Sequence, residues 1–131
     1  MRVAGESENY GTEQEHLNNV HGVRLRITAL RAISGPGVEL LEYIAPRDGR
    51  AYPQDLRAND LTHWETIFRT GDPAQSWTAL RKAHTEFVSS EAEDTVDGAD
   101  RATGFLVKDP DGHVIGLLSL QPESAAIIST K

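Results

Sequence analysis

The amino-acid sequence predicts an α+β fold in two unequal halves, and three observations carry that prediction. From Val23 to Ala32 the chain reads VRLRITALRA, with Val23, Leu25, Ile27 and Ala29 on one parity and Arg24, Arg26 and Thr28 on the other, the period of a β-strand. Asp72-Pro73 opens a stretch in which apolar residues recur at helical spacing. Near the C-terminus, GFLVKDPDGHVIGLLSL sets two apolar runs on either side of an Asp-Pro-Asp-Gly turn, which reads as a hairpin. The 131 residues match the size of one domain.

In chain order, Val3 to Ser7 suits a short strand. Thr12 to Val20 suits one or two turns of helix, with Thr12 as cap and Glu15 as its reciprocal partner. The strand from Val23 meets the turn Gly35-Pro36-Gly37 and pairs with VELLEYIAP as a hairpin. Arg50 to Asp60, with Pro53 and no clean periodicity, reads as a linker between the halves. LTHWETIFRT then predicts a strand with His63, Glu65, Ile67 and Arg69 on one face. Trp64, Thr66 and Phe68 take the other face, which packs under a helix. That helix has Asp72 as N-cap, Pro73 in its first turn and Gln75 at the capping-box position, with Trp77, Leu80, Ala83, His84 and Phe87 as its buried stripe. VSSEAEDTVDGAD, acidic around Gly98, reads as a short strand and a mobile loop, and the closing hairpin follows. The second half is therefore β-α-β-β-β, and the first looks like an incomplete copy. The expected segmentation is 1–49 for the partial module, 50–60 for the linker, 61–120 for the second module and 121–131 for a tail whose Ala125-Ala126-Ile127-Ile128 run is free to dock on a partner.

Composition narrows the function. Thirteen Lys and Arg against 20 Asp and Glu give a formal net charge of −7, which opposes a broad phosphate-binding surface, so no nucleic-acid partner is expected. The absence of cysteine removes disulfides and thiolate sites, leaving His, Asp and Glu to hold any metal. The N-terminus lacks the apolar core of a secretory signal, and no apolar run approaches the ~20 residues of a membrane span. A soluble, cytoplasmic protein without a membrane partner is the expectation. No glycine-rich phosphate loop is present, and Gly35-Pro36-Gly37 is explained by its turn.

Three segments, GPGVELLEYIAPRDGR, NDLTHWETIF and VKDPDGHVIGLL, are similar in that order to sequences of the vicinal oxygen chelate superfamily, which includes glyoxalases, bleomycin-resistance proteins, epimerases and extradiol dioxygenases. The resemblance spans Val3 to Leu120. It implies paired β-α-β-β-β modules forming a cupped mixed sheet, with the first strand and helix of module one lacking. It also implies a divalent metal held from the first and last strands of each module. Glu39 matches the ligand on the last strand of module one, and His63 the ligand on the first strand of module two. Their carboxylate and imidazole suit Zn, Ni, Mn or Fe. Gly116 stands where the family carries a glutamate, and glycine offers no side-chain donor. Two of four ligands make the metal weak or absent. His16, His21 and Glu65 are the substitutes at hand, from this chain or from a second one.

Glu39 shares its strand parity with Leu41 and Tyr43. Burial in an apolar cup would raise its pKa and suit it to act as a general base. Tyr43, Glu65 and Ile67 are expected to line the ligand pocket, with Trp64 near its wall, and Glu65 with Arg69 suits an ordinary ion pair. His84, His113 and Trp77 are read as structural. An unpaired sheet edge and an uncovered apolar face predict a homodimer, of which module exchange is one form. Three functions stay open. The first is a small-molecule binding protein of the resistance type. The second is a metal-dependent lyase, isomerase or dioxygenase whose metal shell is completed by a partner subunit. The third is a truncated, non-catalytic remnant.

Overall fold

The structure, a computed structural model, describes residues 1–97 and 100–121. The chain divides into two compact units, Met1–Arg50 and Ala51–Lys131.

The first unit carries strand β1 (Arg2–Tyr10), helix α1 (Thr12–Asn18), β2 (Arg24–Arg31) and β3 (Val38–Ala45). The strands form an antiparallel sheet in the order β1-β2-β3. Pairing fixes the register: Ile27 faces Ser7 on one side and Leu41 on the other, and Ala29 faces Gly5 and Glu39. The alternation read in β2 is realised at its start, where Val23 and Leu25 are buried while Arg24 and Arg26 are exposed. Those arginines bridge strands, Arg24 to Glu8 and Arg26 to Glu42, the latter at 2.7 Å. The Glu8 carboxylate raises the Arg24 pKa further above its already high ordinary value. The expected N-terminal strand is longer than Val3 to Ser7. The cap of α1 is Gly11, whose φ of +93° lies in the region open to glycine, rather than Thr12. Glu15 does not reach back to Thr12; its carboxylate accepts from the Gly22 N–H at 2.9 Å and lies 3.4 Å from His21 Nδ1.

The second unit follows with β4 (Glu65–Arg69), α2 (Pro73–Lys82), β5 (Glu86–Phe87), β6 (Glu93–Asp97), β7 (Asp100–Lys108) and β8 (Val114–Gln121). Its mixed sheet runs β4-β8-β7-β5, with β6 also on β7, and β4 lies parallel to β8 while the other pairs are antiparallel. This is the expected β-α-β-β-β order, with the second strand split into β5 and β6. In the first unit, nothing among the described residues pairs with the outer edge of β3; in the second, the last strand gives the corresponding edge to β4.

Asp72 caps α2 as predicted, its carboxylate accepting from the Gln75 N–H at 2.8 Å, and Pro73 follows at the start of the helix. Trp77 packs edge-on against Phe87 and Phe105, with ring centroids 4.3 and 5.0 Å apart, and the Arg81 guanidinium lies over the Trp77 and Phe87 rings. The stripe is shorter than expected. The helix ends at Lys82, Ala83 and His84 are exposed, and Phe87 reaches Trp77 from β5. Phe105, Val107, Ala102 and Val114 form the buried core of this unit. The acidic stretch supplies β6 rather than a loop, paired with β7 from Glu93↔Gly104 onward. Gly98 and the tail from Pro122, with its Ala125–Ile128 run, lie outside the described residues. No helix among the described residues is long and apolar enough to cross a membrane.

Candidate functional site

The register of β4, β8 and β7 sets Ile67 beside Gly116 and Gly116 beside Leu106, so these three positions share one sheet face with Glu65 and Val114. A Cβ built on Gly116 would sit 2.4 Å from Ile67 Cδ1 and 3.2 Å from Leu106 Cδ2. The space that a side chain at position 116 needs is already filled by the end of the Ile67 side chain. Ile67 itself remains 43% exposed, so this face presents an apolar, open surface with Glu65 at its rim.

His63 does not lie on the strand. It precedes β4 in a turn, its N–H donating to the Asp60 carbonyl at 2.9 Å, and its half-buried ring lines a cavity of about 210 Å³. Trp64 does not pack beneath the helix. It is 51% exposed and leans on the His113 ring, with centroids 4.9 Å apart. On its other side His113 meets Tyr52 edge-on, also at 4.9 Å.

The turn between β7 and β8 organises that corner. Asp109 Oδ1 accepts from the N–H groups of Asp111 and His113, both at 2.9 Å, and Oδ2 lies 3.1 Å from His113 Nδ1. Burial pushes the Asp109 carboxyl up. The His113 N–H, its ring and charge, and the Asp111 N–H outweigh that and hold it below the usual carboxylate range. Gly112 takes φ +98°, and a Cβ there would stand 3.1 Å from Tyr52 Cδ1, so the Tyr52 ring rests on a bare backbone. The Tyr52 hydroxyl is buried and has no hydrogen-bond partner among the described residues. At the cavity wall Lys108 Nζ pairs with Glu86 at 2.7 Å.

On the first unit, Glu39 is exposed, as are Leu41 and Tyr43 on the same face of β3. The apolar enclosure expected around Glu39 is therefore missing. Glu39 and Tyr43 belong to the first unit, and His63, Glu65 and Ile67 to the second. Within the second unit, His63 is gathered with Tyr52 and Lys108 at the cavity, while Glu65 and Ile67 lie on the sheet face.

The donor set does not fit the metal centre that the sequence resemblance implies. Among the described residues, no group of three His, Asp or Glu side chains is placed to hold a metal ion. At position 116, where the sequence resemblance implies a carboxylate, the space is taken by a hydrocarbon chain. The sequence pattern marks the Asp-Pro-Asp-Gly-His turn, but not the residues that build on it. Tyr52 sits in an aperiodic loop, and Lys108 looks like any charged strand end.

No family model and no curated relative matches the sequence. In fold, the chain is similar to the crystal structure of a glyoxalase family protein from Bacillus cereus, with a TM-score of 0.73 and 16% sequence identity, over 92% of this chain and 78% of that one. The likeness establishes a glyoxalase-type α+β fold.

Proposed function

We propose that the chain is a small-molecule binding protein of glyoxalase-type fold that uses apolar contact in place of a resident divalent metal. The observation that supports this reading is the Ile67 side chain lying in the space over Gly116. Hydrophobic surface stands where the sequence resemblance implies a carboxylate ligand, which suits an apolar or aromatic molecule and offers nothing to an ion. Ile67 is the principal contact, and Glu65 at the rim supplies a polar one. On the first unit, Tyr43 presents a half-exposed aromatic ring in its own right.

The test is metal analysis of chain purified without chelator, joined to a thermal-shift screen of planar aromatic compounds with and without EDTA. Substoichiometric metal and chelator-insensitive stabilisation that weakens in Ile67→Ala are expected. Retention of one equivalent of Zn, Ni, Mn or Fe through gel filtration, or loss of every ligand shift in EDTA, refutes it and favours a metal-dependent lyase or dioxygenase using Glu39 and His63.

The protein is further proposed to be a homodimer, of which module exchange is one form. Leu40 and Leu41 are exposed on β3, whose outer edge is unpaired among the described residues, and open apolar edges favour strand addition. A sedimentation profile that stays monomeric across concentration excludes this.

A further inference from the structure

Strand register orders the Ile67 face into rows. Ile67, Gly116 and Leu106 lie side by side on β4, β8 and β7. Glu65, Val114, Lys108 and Glu86 form the neighbouring row on the same face, two residues back along β4.

The first row is hydrocarbon. Gly116 contributes no side chain and Ile67 Cδ1 lies over it, so Ile67 and Leu106 together floor about 9.6 Å, two strand spacings. A flat ring fits that span.

The second row is charged, and unevenly: two carboxylates, Glu65 and Glu86, stand against the ammonium of Lys108. Lys108 Nζ is already held by Glu86 at 2.7 Å. Glu65 is exposed, and its carboxylate has no ion pair or hydrogen bond among the described residues. Arg69, two residues beyond Ile67 on β4, already has a partner. The unpaired charge beside the apolar row is therefore negative. Glu65 stands about 6.6 Å from Ile67 along the strand, a distance that a ring bridges with an ammonium on a one-carbon arm. An anion in the same place meets Glu65 and, past Val114, Glu86, and like charges repel.

We propose that this face selects a planar aromatic ring bearing a protonated amine on a short arm, with the ring on Ile67 and Leu106 and the ammonium at Glu65. The inference rests on the apolar reading of the Ile67 face and names the class of ligand that the face takes.

The experiment titrates the full chain at neutral pH with 2-naphthylmethylamine, 2-naphthylmethanol and 2-naphthylacetate, followed by amide shifts of Ile67, Leu106 and Gly116 in ¹H–¹⁵N NMR spectra. The amine binds about threefold more tightly than the alcohol, the worth of one exposed ion pair, and the acetate binds most weakly. Glu65→Gln brings the amine to the affinity of the alcohol and leaves the alcohol unchanged, while far-UV circular dichroism shows the fold intact. Glu65→Lys reverses the order in favour of the acetate. Salt at about 1 M narrows the wild-type preference. Ile67→Ala weakens all the ligands together. Equal binding of amine and alcohol, or a preference that survives Glu65→Gln, overturns the amine inference, and the apolar reading stands if Ile67→Ala still weakens both. No saturable shift with any of the ligands overturns the inference and the apolar reading alike.

Discussion

Replacing Gly116 with alanine puts a methyl group 2.4 Å from Ile67 Cδ1 and 3.2 Å from Leu106 Cδ2, where carbon atoms prefer about 3.5–4.0 Å. The closer contact is with the end of a flexible side chain that is 43% exposed, so Ile67 swings outward and β8 keeps its pairing. Overpacking of this kind costs ~1–3 kcal/mol, and loss of glycine from a strand returns ~0.5–1 kcal/mol. Gly116→Ala should therefore destabilise the second unit by about 1 kcal/mol. Ile67→Val removes the clashing Cδ1 and alone costs about 0.5 kcal/mol, the low end for a half-exposed site. In the Ile67→Val background the alanine becomes neutral or slightly stabilising, so the two changes couple by roughly 1–2 kcal/mol.

Both tryptophans, Trp64 and Trp77, belong to the second unit, which makes tryptophan fluorescence during guanidinium unfolding a report on that unit. Four proteins complete the cycle. Additive effects, with Gly116→Ala equally costly beside isoleucine or valine, would show that Ile67 does not occupy the space over residue 116. The structural reason for rejecting a metal ligand there would then be lost.

Asp72→Ala removes the carboxylate that accepts from the Gln75 N–H and should cost about 1 kcal/mol, read as a lower midpoint in the same fluorescence unfolding. Asp109→Asn tests the turn through pH. A native carboxyl held below its ordinary 3.8 contributes stability that is complete above that unfolded value and is lost as pH falls through the native one. The stability gap between the wild type and Asp109→Asn should stay constant near neutrality and close below about pH 3.8, measured by urea unfolding at stepped pH. Gly112→Ala forces a side chain into φ +98° and to within 3.1 Å of the Tyr52 ring; a loss of roughly 1–3 kcal/mol is expected, with a weakened near-ultraviolet aromatic signal.

Local chemistry made several elements legible. Asp72-Pro73 is followed by residues at helical spacing, and the aspartate satisfies a free N–H of the first turn, so α2 begins there. Alternation in β2 worked because Val23 and Leu25 are buried while their arginine neighbours are not. Where competing interactions decided, pattern failed. His63 continues the alternation of β4, but its N–H is taken by the Asp60 carbonyl, which holds it in a turn and starts the strand at Glu65. Phe87 fits the helical spacing from Trp77, yet His84 at φ 58° ends the helical path, and the ring returns to Trp77 from a strand. The acidic run has the composition of a solvated loop. Its backbone instead pairs with β7, Asp94 accepting from the Thr103 hydroxyl at 2.8 Å, and exposed charge on such a strand opposes further pairing.

The same distinction explains the site. A missing ligand at Gly116 is a statement about one residue and is legible in the chain, whereas the Ile67 side chain that fills its space is a statement about two strands in register. Tyr52 is more hidden still, because its position depends on Gly112 leaving room for the ring and on the Asp109 turn presenting that glycine at positive φ. Neither requirement leaves a periodic trace near residue 52. A turn that takes glycine at positive φ therefore also seats the tyrosine, so a change at residue 112 should be felt first at the Tyr52 ring, far along the chain from the substituted position.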